Sequence, residues 1–490
     1  MIGMPGPLQA FDWTLRPRSH DAVVVVPGIM GSELVERATG RTLWGVGAVA
    51  GYTARWRYRS GLAALAVTDE ERGGATGRVQ ATRLLAGPAW LPVFGGIEPY
   101  HRLLGALREV VHPAAIAEFA YDWRLSVVHN ASLLAETIDR HLTAWRAHPD
   151  HAHGRRLHPE QRDAQVVVVA HSMGGLLARA LSAVGGATDA IRMTITMGTP
   201  FAGSVKTLEA LAHGRGLPVP LPADEVREMA RTAPGLYDLL PAYRCHLVDG
   251  DARPLSAEVV TQLGGDGELA REAVARQQRS AGLLLPGHVL FAGIKQPTAR
   301  SFDIRDGVVR LWRHGYRRDA EDNIALDAAG RPIPDDQGGD GTVYRYAASL
   351  PRTPARTFAQ QHVALPRTRS ILDNIGGLIT EAGNLDIMLG ANEFGLDIPD
   401  AVSAGEPSLI RIIGDVDPAR LSCAIEDVAD DDRVVARPLP TAGSDGAGAQ
   451  VAIRLPRTGL YRIRVAAGSD PVSKLVLSVA DGSDDGRPAG

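Results

Sequence analysis

The chain of 490 residues is 45% hydrophobic and 22% charged, the balance of a folded globular protein, and its length leaves room for about two to four domains. Its 52 basic and 56 acidic residues leave a formal net charge of −4, so no global field draws it toward nucleic acid, and that class of partner is set aside. Only Cys245 and Cys423 occur, far apart and outside any CxxC or His/Cys cluster, which argues against a disulfide scaffold and a structural zinc site and suits reduced thiols.

Residues 1–20 read as an N-terminal extension without the apolar core of a secretory signal. No run approaches the ~20 apolar residues of a spanning helix, and a cytoplasmic protein is expected. From Ala22 to Arg192, short β-branched runs alternate with helical periodicity, as in βα units on a parallel sheet. Val23 to Val26 form an apolar run ending at Pro27-Gly28, which suits a strand buried on both faces. Leu103, Leu104, Leu107, Val110 and Val111 share a helical face, and Ile116 to Phe119 read as the next strand. The unit repeats with a helix through Leu134, Ile138, Leu142 and Trp145, a strand at Val166 to Val169, a helix at Leu176 to Leu181 and a strand at Met193 to Met197.

Between them, His148 to Arg162 carries four histidines among Pro, Gly and Arg without ligand spacing, and reads as a solvated loop rather than a metal site. Gly214 to Ala281 turns helical and polar, as in an insertion above a sheet, and strand character returns at His288 to Ala292. Insertions of this kind are expected at about 35–95 and 205–285. After the loop Gly395 to Asp400, alternation at Leu409 to Ile413, Val451 to Leu455, Tyr461 to Val465 and Lys474 to Val479 predicts a β-sandwich-like domain over 401–480. Pro456 to Gly459 reads as a hairpin turn there, and 481–490 as a disordered tail. The fold class is α/β, a mostly parallel sheet over 21–398 with cap insertions, plus a small all-β domain.

The most informative segment is Val166-Val-Val-Val-Ala-His-Ser-Met-Gly-Gly175, an apolar strand running into a turn and then a helix. Small residues two before and two after a serine permit a strained turn that lifts its hydroxyl above the sheet, and Ala170 and Gly174 fill those positions around Ser172. A serine needs an oriented base. In this architecture the acid and then the histidine follow later in the chain. Asp340 sits in Gly338-Gly-Asp-Gly341, with Asp335 and Asp336 as competing acids, and His362 is the only histidine after it. The backbone amide of Met173, at the start of the helix, is the first candidate oxyanion donor. Ile29, in Val26-Pro-Gly-Ile-Met-Gly-Ser32, supplies the second, with Met30 as its alternative.

Six segments together resemble the lecithin:cholesterol acyltransferase family: Val26-Pro-Gly-Ile-Met-Gly-Ser-Glu-Leu34, Tyr121-Asp-Trp-Arg124, Ala170-His-Ser-Met-Gly174, Gly198-Thr-Pro-Phe-Ala-Gly203, Phe291-Ala-Gly-Ile294 and Gly339-Asp-Gly-Thr-Val343. The resemblance spans Val23 to Leu389 and implies an α/β-hydrolase with a Ser172, Asp340 and His362 triad. It also implies transfer of a fatty acyl group from a phospholipid or related ester to water or an alcohol, with no cofactor. Hydrolysis is the expected direction; the rival is a catalytically silent scaffold that serves as a binding or regulatory protein. Secreted members carry a disulfide after the first strand, whereas no cysteine precedes Cys245 here, which fits a reducing compartment.

Trp44, Tyr52, Trp56 and Tyr58 interleave with arginines, as do rings at a headgroup boundary or in a cap over the site, so peripheral membrane contact is one expectation. Trp90, Leu91, Val93 and Phe94 pose the same alternative. Asp122 and Arg124 are read as a structural pair, and Trp123 and Met30 as walls of the substrate pocket. The β domain is read as a packing module, with recruitment of a protein partner as its rival.

Overall fold

The computed structural model describes residues 18–45, 63–72, 76–91, 95–158, 162–212, 223–319, 323–381, 394–444, 448–468 and 470–480. Six strands form the central sheet: β1 (Ala22–Val26), β2 (Ile116–Glu118), β3 (Val166–His171), β4 (Ile191–Met197), β5 (Val289–Gly293) and β6 (Ala355–Phe358). Their order is β6-β5-β4-β3-β1-β2, and every pairing is parallel. The all-apolar β1 is buried throughout, with β2 and β3 flanking it and the helix Val127–Arg146 packed against it. Val23 pairs with Val167 and Val26 with Ala170, which sets the first strand's turn beside the serine's turn. Ligands in open α/β sheets bind outside the carboxyl ends of the strands, and both turns lie at that end.

Helices α1 (His101–Val110) and α2 (Val127–Arg146) bury the apolar stripes read from the sequence, and the Ser126 side chain caps α2 by accepting from the His129 amide. The histidine-rich segment expected as a loop is a helix, α3 (Pro149–Leu157). Pro149 suits the first helical position and His148 caps it, while His151 and Gly154 are buried against the protein. A short buried face with poor helix formers left no periodic signal. Helix α4 (Met173–Leu181) is buried on all sides. Within the 205–285 region, α5 (Ala223–Thr232) and α6 (Gly267–Ser280) accompany the antiparallel ribbon Arg244–Val248/Asp251–Pro254, which the helical reading did not contain. Helix α7 (Arg369–Thr380) packs on α1.

The C-terminal region is a sandwich of two sheets. One has the order β7 (Gly395–Asp397), β9 (Pro407–Ile413), β13 (Ala449–Arg454), β12 (Thr441–Ala442). The other runs β8 (Ala401–Ser403), β15 (Val472–Val479), β14 (Gly459–Ala466), β10 (Ser422–Asp427), β11 (Arg433–Ala436). Ile410, Ile412, Val451 and Ile453 of one sheet meet Ile425, Tyr461, Ile463 and Val465 of the other in a shared core. Two expectations are corrected. Gly395 to Asp397 is a strand rather than a loop, because Phe394, Leu396 and Ile398 all turn inward. The turn after Arg454 is not a hairpin, since β13 and β14 lie in opposite sheets. Alternation is the same for a hairpin and for a crossing between sheets, so it cannot tell them apart. Cys245 and Cys423 are free and buried in separate cores. No helix among the described residues is long and apolar enough to cross a membrane.

Candidate active site

Ser172 joins β3 to α4 with φ 53° and ψ −127°, a conformation that ordinary side chains avoid. The strain persists because the surroundings leave no alternative. A Cβ on Gly174 would lie 2.5 Å from the Pro27 carbonyl oxygen and 2.6 Å from that of Val26, so only glycine lets α4 start this close to β1. Gly28 has the same duty from the opposite side, where a Cβ would stand 2.9 Å from that of Ser172.

The loops after β5 and β6 bring the other groups. His362 Nε2 lies 2.9 Å from Ser172 Oγ, and its Nδ1 lies 2.7 Å from Asp340 Oδ2. The second carboxylate oxygen, Oδ1, accepts from the amides of Thr342 at 2.9 Å and Val343 at 2.6 Å. Three donors therefore hold one carboxylate. The His362 amide also donates to the Asp340 carbonyl at 2.7 Å. The competing acids point elsewhere: Asp336 accepts from the Gly338 amide, and Asp335 from Gln337.

The residues expected as oxyanion donors, Met173 and Ile29 or Met30, lie at a helix start and in a turn. Met173 is the first residue of α4, where an amide has no partner within the helix. The turn at residues 28–31 closes by Gly31 N donating to Gly28 O at 3.0 Å, which leaves the amides of Ile29 and Met30 unused by that turn. Ile29, Met30, Pro200, Leu239, Val343 and Val363 line an apolar cleft around Ser172 and His362. Met30, expected as a pocket wall, lines this cleft. Trp123 does not: it is fully buried beneath, edge-on to Trp44 at 6.1 Å. Trp44 is likewise core, donating through Nε1 to the Met30 carbonyl at 2.7 Å, and does not face a lipid surface. Its indole thereby fixes the turn at residues 28–31. Tyr52, Trp56, Tyr58, Val93 and Phe94, and the side chains of Trp90 and Leu91, lie outside the described residues.

Asp122 and Arg124 form a two-pronged pair at 2.9 and 2.7 Å, and Glu71 meets Arg124 at 2.9 Å. Tyr121 donates through its hydroxyl to the Pro27 carbonyl, so this box braces the loop after β1.

Three residues near the site carry roles the motifs did not show. Burial, with a smaller push from His362, drives His171 down to about 3, so this imidazole is neutral and has one donor and one acceptor nitrogen. Its Nε2 faces the His362 carbonyl at 3.1 Å and must donate there, which leaves Nδ1 to accept from Tyr100 Oη at 2.9 Å. Tyr100 Oη in turn accepts from the Gly28 amide at 2.8 Å. One chain of hydrogen bonds links the turn after β1 to the backbone of His362. Lys206 lines the cleft and pairs with Asp400 at 3.6 Å, which Lys474 also meets at 2.8 Å. Burial raises the Asp400 carboxyl, but the two ammonium groups outweigh it and hold it well below the usual range. Tyr100 and Lys206 stand outside every motif; His171 lay inside one but only as a spacer.

Residues 99–262 match the lecithin:cholesterol acyltransferase family. This bears out the resemblance carried by the Tyr-Asp-Trp-Arg and Ala-His-Ser-Met-Gly segments, over less than half of the chain. In general terms it supports a lipid acyl-ester hydrolase or acyltransferase. Among solved structures, the chain resembles one in the Tle4-Tli4 complex, with TM-score 0.47 and 16% identity over 74% of this chain and 99% of that one. It also resembles the Bacillus licheniformis lipase BlEst2 in propeptide form, with TM-score 0.30 and 12% identity over 96% of each chain. No curated protein matches.

Proposed function

We propose that the protein is a serine-dependent acyl-ester hydrolase acting on a phospholipid or related lipid through an acyl-serine intermediate. The observation that carries this reading is the continuous Ser172–His362–Asp340 hydrogen-bond chain opening on an apolar cleft. Ser172 Oγ attacks the ester carbonyl as His362 Nε2 takes its proton, and Asp340 holds the imidazole with Nδ1 protonated. The amides of Met173 and Ile29, with Met30 as the neighbouring alternative, face the charge that develops on the carbonyl oxygen. His362 returns the proton to the leaving alcohol. Water, activated by the same base, then attacks the acyl-serine and releases the fatty acid. The apolar walls suit an acyl chain, which explains a lipid rather than a small polar ester.

The test pairs wild type with Ser172→Ala. A fluorophosphonate probe should label the first and not the second, and only wild type should release fatty acid from phospholipid vesicles. An added long-chain alcohol that captures the acyl group instead of water would make the enzyme a transferase. Well-folded wild type that takes no label would overturn the reading in favour of a silent scaffold.

A further inference from the structure

The C-terminal sandwich touches the reaction centre through the two residues that precede the base. Gln360 and Gln361 are both buried, and neither side chain is spent inside its own loop alone. Gln360 Nε2 donates to the Pro471 carbonyl at 3.0 Å, while its Oε1 accepts from the Ser473 amide at 3.2 Å, so one carboxamide spans two backbone groups at the start of β15. Gln361 Nε2 donates to the Leu396 carbonyl at 3.3 Å and to Gln296 Oε1 at 2.9 Å. That same oxygen of Gln296 accepts from the Leu396 amide at 3.0 Å.

Gln296 closes the circuit on the acid. Its backbone exchanges hydrogen bonds with Gly339, at 2.9 and 3.1 Å, one residue before Asp340. The residue before the acid and the residue before the base are therefore fastened to one strand, β7, of a separate sheet. Nothing in the hydrogen bonds of a Ser–His–Asp triad requires this, and the central sheet alone does not provide it.

We propose that the sandwich is a positioning module for the acid–base pair, with Gln360 and Gln361 as positioning residues for His362. Both act through the backbone of the base and neither touches substrate. The inference rests on the serine-hydrolase reading above. Its physical content is that a catalytic base must be held within a fraction of an ångström, a misplacement of about 1 Å costing about a hundredfold in rate.

The experiment measures kcat and KM on a soluble p-nitrophenyl ester, with melting temperature alongside, for full-length wild type, Gln361→Ala, Gln360→Ala, Gln360→Glu and Arg313→Ala. Arg313 pairs with Asp397 at 2.9 Å and so crosses the same boundary one residue from Leu396 without reaching the loop. The alanine variants at 360 and 361 should lower kcat by about ten- to a hundredfold while KM stays within about twofold. Arg313→Ala should leave both constants as in wild type. Gln360→Glu keeps the acceptor for Ser473 but sets a buried carboxylate oxygen against the Pro471 carbonyl, acceptor against acceptor, so its kcat should fall at least as far as that of Gln360→Ala; Gln361→Ala tests the proposal where a variant at 360 does not fold. Folded variants at 360 and 361 with wild-type kcat would overturn the proposal, as would an equal loss of kcat in Arg313→Ala. Ser172→Ala is the separate control: if it matched wild type on the ester, the site reading itself would fail and the positioning role with it.

Discussion

Asp340 is held so that a change of one atom rewrites the protons of the whole site. Its Oδ1 accepts from two amides and its Oδ2 from the base. In Asp340→Asn, the carbonyl oxygen must stay on the two amides, because turning the NH2 group toward them would set donor against donor. The NH2 group then faces His362 Nδ1, which has to become an acceptor, and the proton moves to Nε2, where it meets Ser172 Oγ. A base already protonated toward its nucleophile cannot take the serine proton. We expect kcat to fall about 10⁴-fold with the melting temperature nearly unchanged. A fall of less than about tenfold in a folded variant would mean that Asp340 does not orient the base. Ser172 was legible because a valine strand, a turn with small residues at both ends and a helix can be read in one line. His362 was legible only by elimination. The link from Gly28 through Tyr100 to His171 was not, since it joins residues that are far apart in sequence and depends on burial making one imidazole neutral.

Elements with a strong periodic signal, α1, α2 and the valine strands, came through the sequence nearly intact, whereas α3 did not. Its placement has a consequence. His151 packs against Trp145 at 5.2 Å between ring centroids, and His20 lies 6.2 Å from His151 and 5.9 Å from His158. Burial, and after it the neighbouring His151 and His158, lower His20 to about 4; burial also lowers His151 and His112. A histidine held below its unfolded value of about 6.5 binds fewer protons when folded than when unfolded over the interval between the two. Stability from this group is therefore fully present above about pH 6.5 and drains as pH falls toward 4. The melting temperature should drop between pH 7.5 and pH 5, and His20→Asn should reduce that drop. An equal drop in both proteins would place the acid sensitivity elsewhere, with His288, which burial also lowers to about 4, as the next group to replace.

Across the whole molecule, the central sheet's domain and the sandwich meet at a boundary that is a buried charge cluster as well as an apolar one, so they are expected to melt as one unit. Leu460, Leu475 and Leu477 lie on the outer face of the second sheet, and β15 packs on the strand Gly95–Ile97. Beside them Arg462, 2% exposed, grips Glu98, 3% exposed, through two hydrogen bonds at 2.7 and 2.9 Å. Arg367, which ends the turn that begins at His362, meets the same carboxylate at 2.5 Å. Arg462 and Arg464 are the polar half of the alternation from Tyr461 to Val465, a pattern that gives no sign of burial. A strand cannot announce that its outer face is covered by another domain. Replacing Glu98 by Gln removes the carboxylate that Arg462 and Arg367 share; Glu426 at 3.3 Å and Asp432 still face Arg462, so the loss should lie above that of a surface pair and below the ~3–5 kcal/mol of a buried charge left without a partner. The exposed pair of Arg433 with Asp430 offers the contrast, since its loss should cost under about 1 kcal/mol. Scanning calorimetry of wild type should show one transition, with Glu98→Gln melting well below it and Arg433→Ala close to it. Two separate transitions in wild type would mean that the sandwich folds and melts alone, and the boundary would then be a contact of convenience rather than part of the site's support.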